Sequence, residues 1–359
     1  AYMDQYLNMA LEWLGAYNVP VILLSATLPK KSRADFIDHY LMGKGRRMGR
    51  DEKNKLMSDD YPLITCTEGN KAFNIKEFAP IEDKTIEIKY ADTEDLPQLV
   101  DILLEGGGNI GIIVNTVKKA QDIARLLVEK FTDEYVMMLH SSFIATDRVE
   151  KEKLLMNYLG KAGKRPEKLI VVGTQVIEQS LDIDFDVMIS DIAPVDLLIQ
   201  RLGRLHRHER DNRPKKHKKP VLYVLGNSES LDFEEGSKAV YGGYLLSRTG
   251  YFLGDSIKLP GDISGFVQRV YDDKISLDLL EELKGKYEEY KANYESLIKN
   301  KKDRAGTYRL DSPILKKGIV KQPNLIGWLN NNSKITNEEG GNSQVRDTQD
   351  TIELVALKR

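Results

Sequence analysis

Arginines recur at every third position in the stretch QRLGRLHRH, residues 200–208, which contains Arg201, Arg204 and Arg207. A guanidinium group keeps its charge and donates paired hydrogen bonds, so it suits the oxygens of a phosphoryl group in transfer. We expect a helix that begins after Pro194 to carry the stretch. Arg204 and Arg207 would then share one face because they lie three residues apart. The alternative is a solvated basic helix edge.

A second polar stretch, VVGTQVIEQSLDIDFDVMIS at residues 171–190, starts as a buried strand and breaks into a turn. Thr174 and Gln175 would lie at the carboxyl end of that strand, where they could donate to a nucleic-acid phosphate. Asp182 could accept hydrogen bonds from a ribose hydroxyl. The alternative is a simple Gly/Thr turn followed by an acid that caps a helix.

Short hydroxyl side chains follow another apolar run, PVILLSATLP at residues 20–29. A continuous apolar run of this length predicts a buried parallel strand. Ser25 and Thr27 in its loop could sense a nucleotide site and pass its state to a neighbouring domain. The alternative is a helix N-cap formed by Thr27 or Ser32.

Two more strand ends carry polar residues, in IIVNT at 112–116 and HSSF at 140–143. These side chains could line a groove for the phosphates of a single strand, with charge added from the next helix. The residues concerned are Asn115, Thr116, Ser141 and Arg148. The alternative for each is a cap on the helix that follows.

Basic residues are dense in 201–220, which holds nine Lys or Arg, two acids and three His. We expect a flexible basic connector that helps to hold nucleic acid. The histidines lack the Cys or carboxylate pattern of a metal site, so no metal is predicted. No GxxxxGK[ST] loop and no acidic DExH box occur in the sequence, and the chain alone is therefore expected to be inactive toward ATP.

Composition favours an ordinary globular protein, since 359 residues carry a net charge of -2 with 41% apolar residues. Cys66 is the single cysteine, which fits a reducing, cytoplasmic setting. No stretch has the apolar length of a membrane span. Because Ala1 already lies in a helix-like apolar pattern at 2–14, we expect the natural protein to begin further upstream.

Strands and helices alternate between residues 95 and 225, which predicts a doubly wound parallel sheet with ligand sites at the carboxyl ends of its strands. Strands are predicted at 110–114, 135–139, 168–172, 187–190 and 221–225, and helices at 95–104, 117–131, 146–159 and 195–205.

Outside this region the patterns change. Residues 43–60 predict an exposed mobile loop, and the extended stretch 67–92, with a strand at 84–90, predicts the crossing between two domains. We therefore expect domains at 1–80 and 81–228 and an accessory region at 229–359. That region would hold a long charged helix at 276–301 and a terminal strand at 351–357.

The order of SAT, IIVNT, GTQVIEQSLDIDFD and QRLGRLHRH resembles motifs III to VI of superfamily 2 helicases. The stretch EQSLDIDFDVMISDIAPVDLLIQRLGRLHRH, with LHSSF, is similar to the CRISPR-associated helicase-nuclease of type I systems. This resemblance implies a RecA-like second helicase domain, part of a first RecA-like domain, and a mostly helical accessory region. Ser142 departs from the basic residue that the family often has there.

The resemblance also implies residue roles in an ATP-driven 3'-to-5' translocase on single-stranded DNA. Arg204 and Arg207 would complete the nucleotide site, and Gln200 would couple it to Ser25 and Thr27. Nucleotide contacts would come from Asp182 and Gly203. Contacts to the DNA strand would come from Asn115, Thr116, Ser141, Arg148, Thr174 and Gln175.

Cofactors and partners follow from the same resemblance. ATP and Mg²⁺ would be bound by the complete protein, and nuclease metal ions by a domain that precedes this chain. Partners would be single-stranded DNA, a Cascade-type surveillance complex, and the protein's own N-terminal helicase and nuclease domains. Two alternatives stay open: a general DNA-repair or RNA helicase of the DExH type, and a non-catalytic nucleic-acid-binding or docking module.

Overall fold

The computed structural model describes residues 2–178, 181–226, 230–307 and 312–313. The chain divides into two units: residues 1–78 with 295–359 form the first, and residues 79–294 form the second. The domain limits proposed from the sequence, after residues 80 and 228, stay predictions.

Residues 2–78 of the first unit form three helices and a hairpin. The predicted opening helix is confirmed, and β1 and β2 pair antiparallel with each other. The elements are α1 (Tyr2–Ala16), α2 (Lys30–Gly43), α3 (Arg50–Leu56), β1 (Ile64–Glu68) and β2 (Lys71–Ile75).

Two expectations for this unit are wrong. Residues 20–29 form no strand, and Ile22 and Leu24 are 84% and 91% exposed. A buried parallel strand needs neighbours on both sides, whereas among the described residues of this unit β1 and β2 pair only with each other. The predicted mobile loop at 43–60 instead contains α3, whose Leu56 packs in a small core with Met48.

The second unit contains a seven-stranded sheet in the order β5-β6-β4-β7-β8-β3-β9. Six strands are parallel, and β9 pairs antiparallel with β3 at one edge. The predicted doubly wound α/β sheet is confirmed. Its strands are β3 (Lys84–Ala91), β4 (Gly108–Ile113), β5 (Val136–Leu139), β6 (Lys168–Gly173), β7 (Val187–Asp191), β8 (Val221–Leu225) and β9 (Ser256–Leu259).

Helices cover both faces of the sheet because the central strands are apolar on both sides. In β4, Ile110 and Ile112 belong to one core, whereas Ile113 belongs to the other. Helices α4 and α5 contribute to the first core, and α6 and α7 to the second. Their bounds are α4 (Leu96–Leu104), α5 (Val117–Phe131), α6 (Ala145–Leu159) and α7 (Val195–Leu202).

After β8 the chain forms more regular structure than the sequence predicts. Buried Arg248 joins these elements by donating to the main-chain oxygens of Val270, Asp272 and Ile275 at 2.6–2.8 Å. A cation at the end of α10 is favourable because carbonyl groups there are unpaired. The helices are α8 (Glu235–Tyr241), α9 (Gly243–Leu253), α10 (Ile263–Tyr271) and α11 (Glu281–Thr307).

Two further expectations concern this region. The long charged helix predicted at 276–301 is present as α11, shifted toward the carboxyl end. The strand predicted at 351–357 lies outside the described residues. Within the described ranges, no helix combines the length and apolar character needed to cross a bilayer.

Gly111, in the middle of β4, lets an aromatic ring lie directly on the sheet. A Cβ at this position would be 2.7 Å from Cδ2 of Phe185, which is closer than real Cβ atoms approach. Phe185 is fully buried in the residues that lead into β7. The glycine therefore sets the position of the chain just before β7.

We predict that Gly111→Ala lowers the free energy of unfolding by about 1–3 kcal/mol, because the added methyl overpacks the core against Phe185. Urea denaturation measures the change. Gly285→Ala is the control, since nothing lies within 4 Å of its Cβ in α11, and it should stabilise by up to about 1 kcal/mol. An unchanged stability for Gly111→Ala would mean that Phe185 moves aside freely.

Candidate functional site

The arginine-rich stretch starts in α7 and returns to the amino end of β7. Helix α7 ends at Leu202, and Leu205 then pairs with Phe185 in a parallel bridge. Two expectations are therefore wrong. Arg204 and Arg207 were expected on one face of the helix, but they lie beyond its end. They were expected at the carboxyl ends of the strands, but they lie beside the amino end of β7. The reason is that the eight-residue helix spans only about 12 Å, and the bridge between Leu205 and Phe185 then brings the chain back to the residues that precede β7.

Two guanidinium groups and one carboxylate lie at this edge of the sheet, where β7 has its amino end. Arg207 forms an ion pair with Asp182, in which both side chains are partly exposed. Nη2 of Arg204 donates to the main-chain oxygen of Glu178 at 2.8 Å, and its buried Nε has no hydrogen-bond partner among the described residues. Burial and the nearby Arg207 charge lower the pKa of Arg204, and the hydrogen bond from Arg207 lowers the pKa of Asp182.

Gln200 and Gly203 lie next to this pair. Gly203 caps the carboxyl end of α7, and its oxygen accepts a hydrogen bond of 3.2 Å from Nη1 of Arg207. Gln200 lies in the last turns of α7 and is partly exposed. The structure therefore gathers four of the predicted nucleotide-site residues, Gly203, Arg204, Arg207 and Asp182, at one edge of the sheet, with Gln200 on the adjoining helix.

Arg201, in the same triplet pattern, has a different environment. Its side chain is fully buried and is bonded to Oε1 of Glu178 at 2.6 Å, with both side chains 0% exposed. The same guanidinium donates to the Ser190 hydroxyl and the Asp191 oxygen, at 2.8 and 2.9 Å, and to Oδ1 of Asn115 at 3.0 Å. Arg201 therefore holds the carboxyl ends of β4 and β7 together.

The expectation that residues 201–220 form a flexible connector is also wrong. Arg213 and His217 are buried, and Arg210 and Arg213 form ion pairs with Asp184. Two fully buried carboxylates, Asp184 and Asp186, require such cations because an unpaired buried charge is costly. Burial alone would raise the pKa of Asp186, but its Arg165 and Asn109 contacts outweigh burial, and the pKa lies below its ordinary value.

At the opposite edge of the sheet, where the parallel strands have their carboxyl ends, two residues predicted to contact nucleic acid are buried. Asn115 is 2% exposed, and its amide donates to the Ile192 oxygen and the Ser237 hydroxyl, both at 2.9 Å. Thr174 is 1% exposed. The Asn115 side chain lines no groove here, because it is already bonded to Ser237 of α8 and to Ile192 after β7.

The other predicted contacts keep some exposure. Ser141 is exposed, and Arg148 is partly exposed and paired with Glu152 at 2.7 Å. Thr116 caps α5 by accepting from the Lys119 amide at 3.2 Å, as the alternative interpretation expected.

Gln175 lies at the same edge and is partly buried. Its amide donates to the Asn115 oxygen at 3.2 Å and to the hydroxyl of Tyr241, which belongs to α8. Gln175 is thus tied both to the sheet and to the residues that follow β8.

Ser25 and Thr27 belong to the first unit. The Ser25 hydroxyl accepts a hydrogen bond from the Thr27 amide at 3.2 Å, which makes a local turn. The alternative of a helix cap by Thr27 or Ser32 is wrong, since Pro29 is the cap residue of α2 and no side chain caps it. The coupling role of Ser25 and Thr27 stays a prediction.

Several buried polar residues at these edges were missed by the sequence interpretation. Asp184 and Asp186 alternate with Ile183 and Phe185, and such acids inside an apolar run are a signal for buried ion pairs. No local signal marks their partner Arg165, which lies far away in the sequence. Ser237 and Tyr241 follow β8, where the strand and helix rhythm is lost.

We predict that Arg201→Met lowers the free energy of unfolding by about 3–5 kcal/mol, because Glu178 would remain buried without its cation. Urea denaturation measures the loss. Combining Arg201→Met with Glu178→Met should recover most of it, since removal of both charges leaves no unpaired ion. A double variant no more stable than the single one would contradict this account.

His206 lies between the arginines in a left-handed conformation, with φ of 49°. Its ring is 2.9 Å from the main-chain oxygen of Asp186, which can only accept, so Nε2 carries the proton. Burial, followed by the Arg213 charge, lowers the pKa of His206 to about 4. The ring is therefore neutral in the folded protein at neutral pH.

We predict that acidification destabilises the fold through His206. Between its ordinary pKa of 6.5 and the folded value of about 4, the unfolded chain binds more protons, so the free energy of unfolding falls as the pH falls. His206→Asn tolerates the left-handed backbone and should flatten this dependence. Denaturation at pH 7, 5.5 and 4.5 tests it, and parallel curves for both proteins would exclude His206 as the source.

Comparisons with known proteins identify a family to which this chain is similar. A family model for CRISPR-associated nuclease/helicase Cas3, C-terminal, matches residues 106–210. The CRISPR-associated nuclease/helicase Cas3 of Streptococcus thermophilus is 50% identical over 362 residues, which cover 100% of this chain and 39% of that relative. This chain thus spans well under half the length of that relative.

Solved structures also match this chain over most of its length. The crystal structure of T. fusca Cas3-ATP has a TM-score of 0.78 and 32% identity, covering 87% of this chain and 37% of that chain. A chain of a CRISPR RNA-guided surveillance complex, pre-nicking, has a TM-score of 0.73 and 32% identity, covering 87% of this chain and 40% of that chain. The second unit accordingly has the RecA-like fold. Over its whole length, this chain is similar to part of the CRISPR-associated nuclease/helicase Cas3 proteins.

Proposed function

We propose that this chain supplies the second RecA-like domain of an ATP-driven, 3'-to-5' translocase on single-stranded DNA that acts in type I CRISPR interference. Arg204 and Arg207 serve as arginine fingers in this proposal. The observation that carries it is the pair of neighbouring guanidinium groups, which faces one exposed carboxylate, Asp182.

The charges and hydrogen bonds at this edge fit a polyphosphate. Arg204 and Arg207 carry two positive charges against the single Asp182 carboxylate, and Arg204 Nε has no hydrogen-bond partner among the described residues. A triphosphate oxygen would accept from such a donor and would compensate the repulsion between the guanidinium groups. Asp182 is then left to accept from a ribose hydroxyl when Arg207 turns toward phosphate.

The remaining nucleotide contacts belong to other segments. Gly203 and Gln200 adjoin the arginines, and Gln200 would couple the site to Ser25 and Thr27 of the first unit. Bound ATP supplies the chemical energy for movement. Within the described residues, no group of three or more His, Cys, Asp or Glu side chains is suited to a metal ion. In this proposal Mg²⁺ and the nuclease metal ions are bound by other parts of the longer protein.

Single-stranded DNA would follow the opposite edge of the sheet. Ser141, Thr116, Arg148 and Gln175 are at least partly exposed there and can donate to phosphate oxygens. Asn115 and Thr174 are left out of the direct contacts because they are buried. Their role is to support the exposed residues.

The setting of the longer protein follows from the relatives. A neighbour solved with ATP supports ATP as the cofactor, and a neighbour in an RNA-guided surveillance complex supports a Cascade-type partner. We propose that residues 1–80 end a first RecA-like domain, 81–228 form the second, and 229–359 form an accessory region. The protein would act in the cytoplasm, in line with its single cysteine.

We predict that Arg204→Ala and Arg207→Ala, made in the longer protein, each lower kcat for DNA-stimulated ATP hydrolysis by about a thousand-fold, because a finger stabilises charge in the transition state. Turnover measured with saturating single-stranded DNA tests this. Arg125→Ala is the matched control, since Arg125 is an exposed arginine of α5 paired with Asp122. Its turnover should stay near that of the parent protein.

Other outcomes would favour the alternatives. ATP turnover that survives both changes would favour a non-catalytic docking module. Stimulation by RNA without stimulation by single-stranded DNA would favour a general RNA helicase. Displacement assays on duplexes with a 3' or a 5' overhang test polarity, and a preference for the 5' overhang would contradict the proposed direction.

A further inference from the structure

The backbone that carries the two proposed fingers has its polar groups bonded on several sides. The Phe185 amide donates to the Arg204 oxygen at 2.9 Å, and the His206 amide donates to the Phe185 oxygen at 3.0 Å. The Lys84 ammonium donates to the His206 oxygen. We call residues 203–208 the finger segment. Hydrogen bonds fix the main chain of this segment, and the side chains of Arg204 and Arg207 extend from it.

Besides Lys84, a second side chain binds this backbone. Oδ1 of Asp184 accepts from the backbone amide of Arg207 at 2.8 Å. This carboxylate is 0% exposed, and the amide it binds belongs to a proposed finger itself. The left-handed backbone of His206, the preceding residue, turns the chain so that this amide points inward.

The Asp184 carboxylate is itself held by three arginines. Arg213 bonds both of its oxygens, at 2.7 and 2.8 Å, and Arg210 bonds Oδ2 at 2.6 Å. Arg165 adds a contact of 3.1 Å to the same oxygen. A carboxylate with this many fixed donors has little freedom to rotate, so the position of the Arg207 amide is well defined.

We propose that Asp184 is a positioning residue for ATP hydrolysis, which acts through the backbone of Arg207 to aim the finger. This rests on the proposed function, since it requires Arg207 to act on the nucleotide. Catalytic groups must be held within a fraction of an ångström of their productive geometry. Misplacement by about 1 Å can lower turnover a hundred-fold.

Asp186 provides a matched control for Asp184. It is also 0% exposed and pairs with the same Arg165 and Arg213, at 2.7 Å to each. Its carboxylate, however, binds the Asn109 amide at 2.9 Å and not the finger segment. Asp184→Asn and Asp186→Asn therefore remove the same charge from the same cluster, and only the first disturbs the support of Arg207.

The experiment measures kcat and KM for DNA-stimulated ATP hydrolysis by the longer protein with these two changes. We expect Asp184→Asn to lower kcat by about ten-fold to a hundred-fold, with KM for ATP changed much less, since a finger acts mainly in the transition state. Asp186→Asn should lower the melting temperature about as much as Asp184→Asn does, but it should lower kcat much less. Equal kcat losses for the two variants would overturn the proposal.

A double-variant cycle separates positioning from general damage. In an Arg207→Ala background, Asp184→Asn should lower kcat by less than about two-fold, because the side chain that it positions is gone. Independent, multiplying losses would overturn the proposal. If Arg207→Ala alone leaves kcat intact, the proposed function fails; if Arg207→Ala lowers kcat and Asp184→Asn does not, only the positioning role fails.

A second variant decides the case if Asp184→Asn does not fold. Arg210→Met removes one partner of Asp184 and leaves Arg213 and Arg165 in place. A loss in kcat that disappears in the Arg207→Ala background supports the positioning role. An unchanged kcat, or the same loss in both backgrounds, overturns it.

Discussion

Burial of two carboxylates beside the amino end of β7 constrains the rest of the arginine-rich edge. Asp184 and Asp186 are fully buried, and charges removed from water require cations held in good geometry. Arg210 and Arg213 meet this need only if the chain turns sharply after α7 and runs back over β7. The path of the intervening residues, and so the place of Arg204 and Arg207, follows from that requirement.

A continuous set of contacts links the two edges of the sheet through Glu178. Its side chain is bonded to Arg201, which reaches Asn115 at the carboxyl edge, and its main-chain oxygen is bonded to Arg204. Gln175 in turn donates to the Asn115 oxygen. The edge assigned to DNA and the edge assigned to the nucleotide are therefore linked through Asn115, Arg201 and Glu178.

The sequence predicted the sheet well because buried parallel strands are short apolar runs that local pattern identifies, and α5 and β8 match the expected bounds. It could not place Arg204 and Arg207, since the end of α7 depends on the distant bridge to Phe185. The stretch 20–29 has strand composition without a neighbouring strand in the described part of its unit. Burial of Asn115 depends on α8, which has no periodic pattern of its own.

Both outer strands of the seven-stranded sheet, β5 and β9, are only four residues long. A short outer strand offers few free amide and carbonyl groups to a foreign chain, and Pro260, directly after β9, lacks an amide hydrogen altogether. The addition of a strand from another molecule, which is the first step in many aggregates, is therefore unfavourable at this sheet. Assembly through this sheet would therefore rely mainly on its side-chain surfaces.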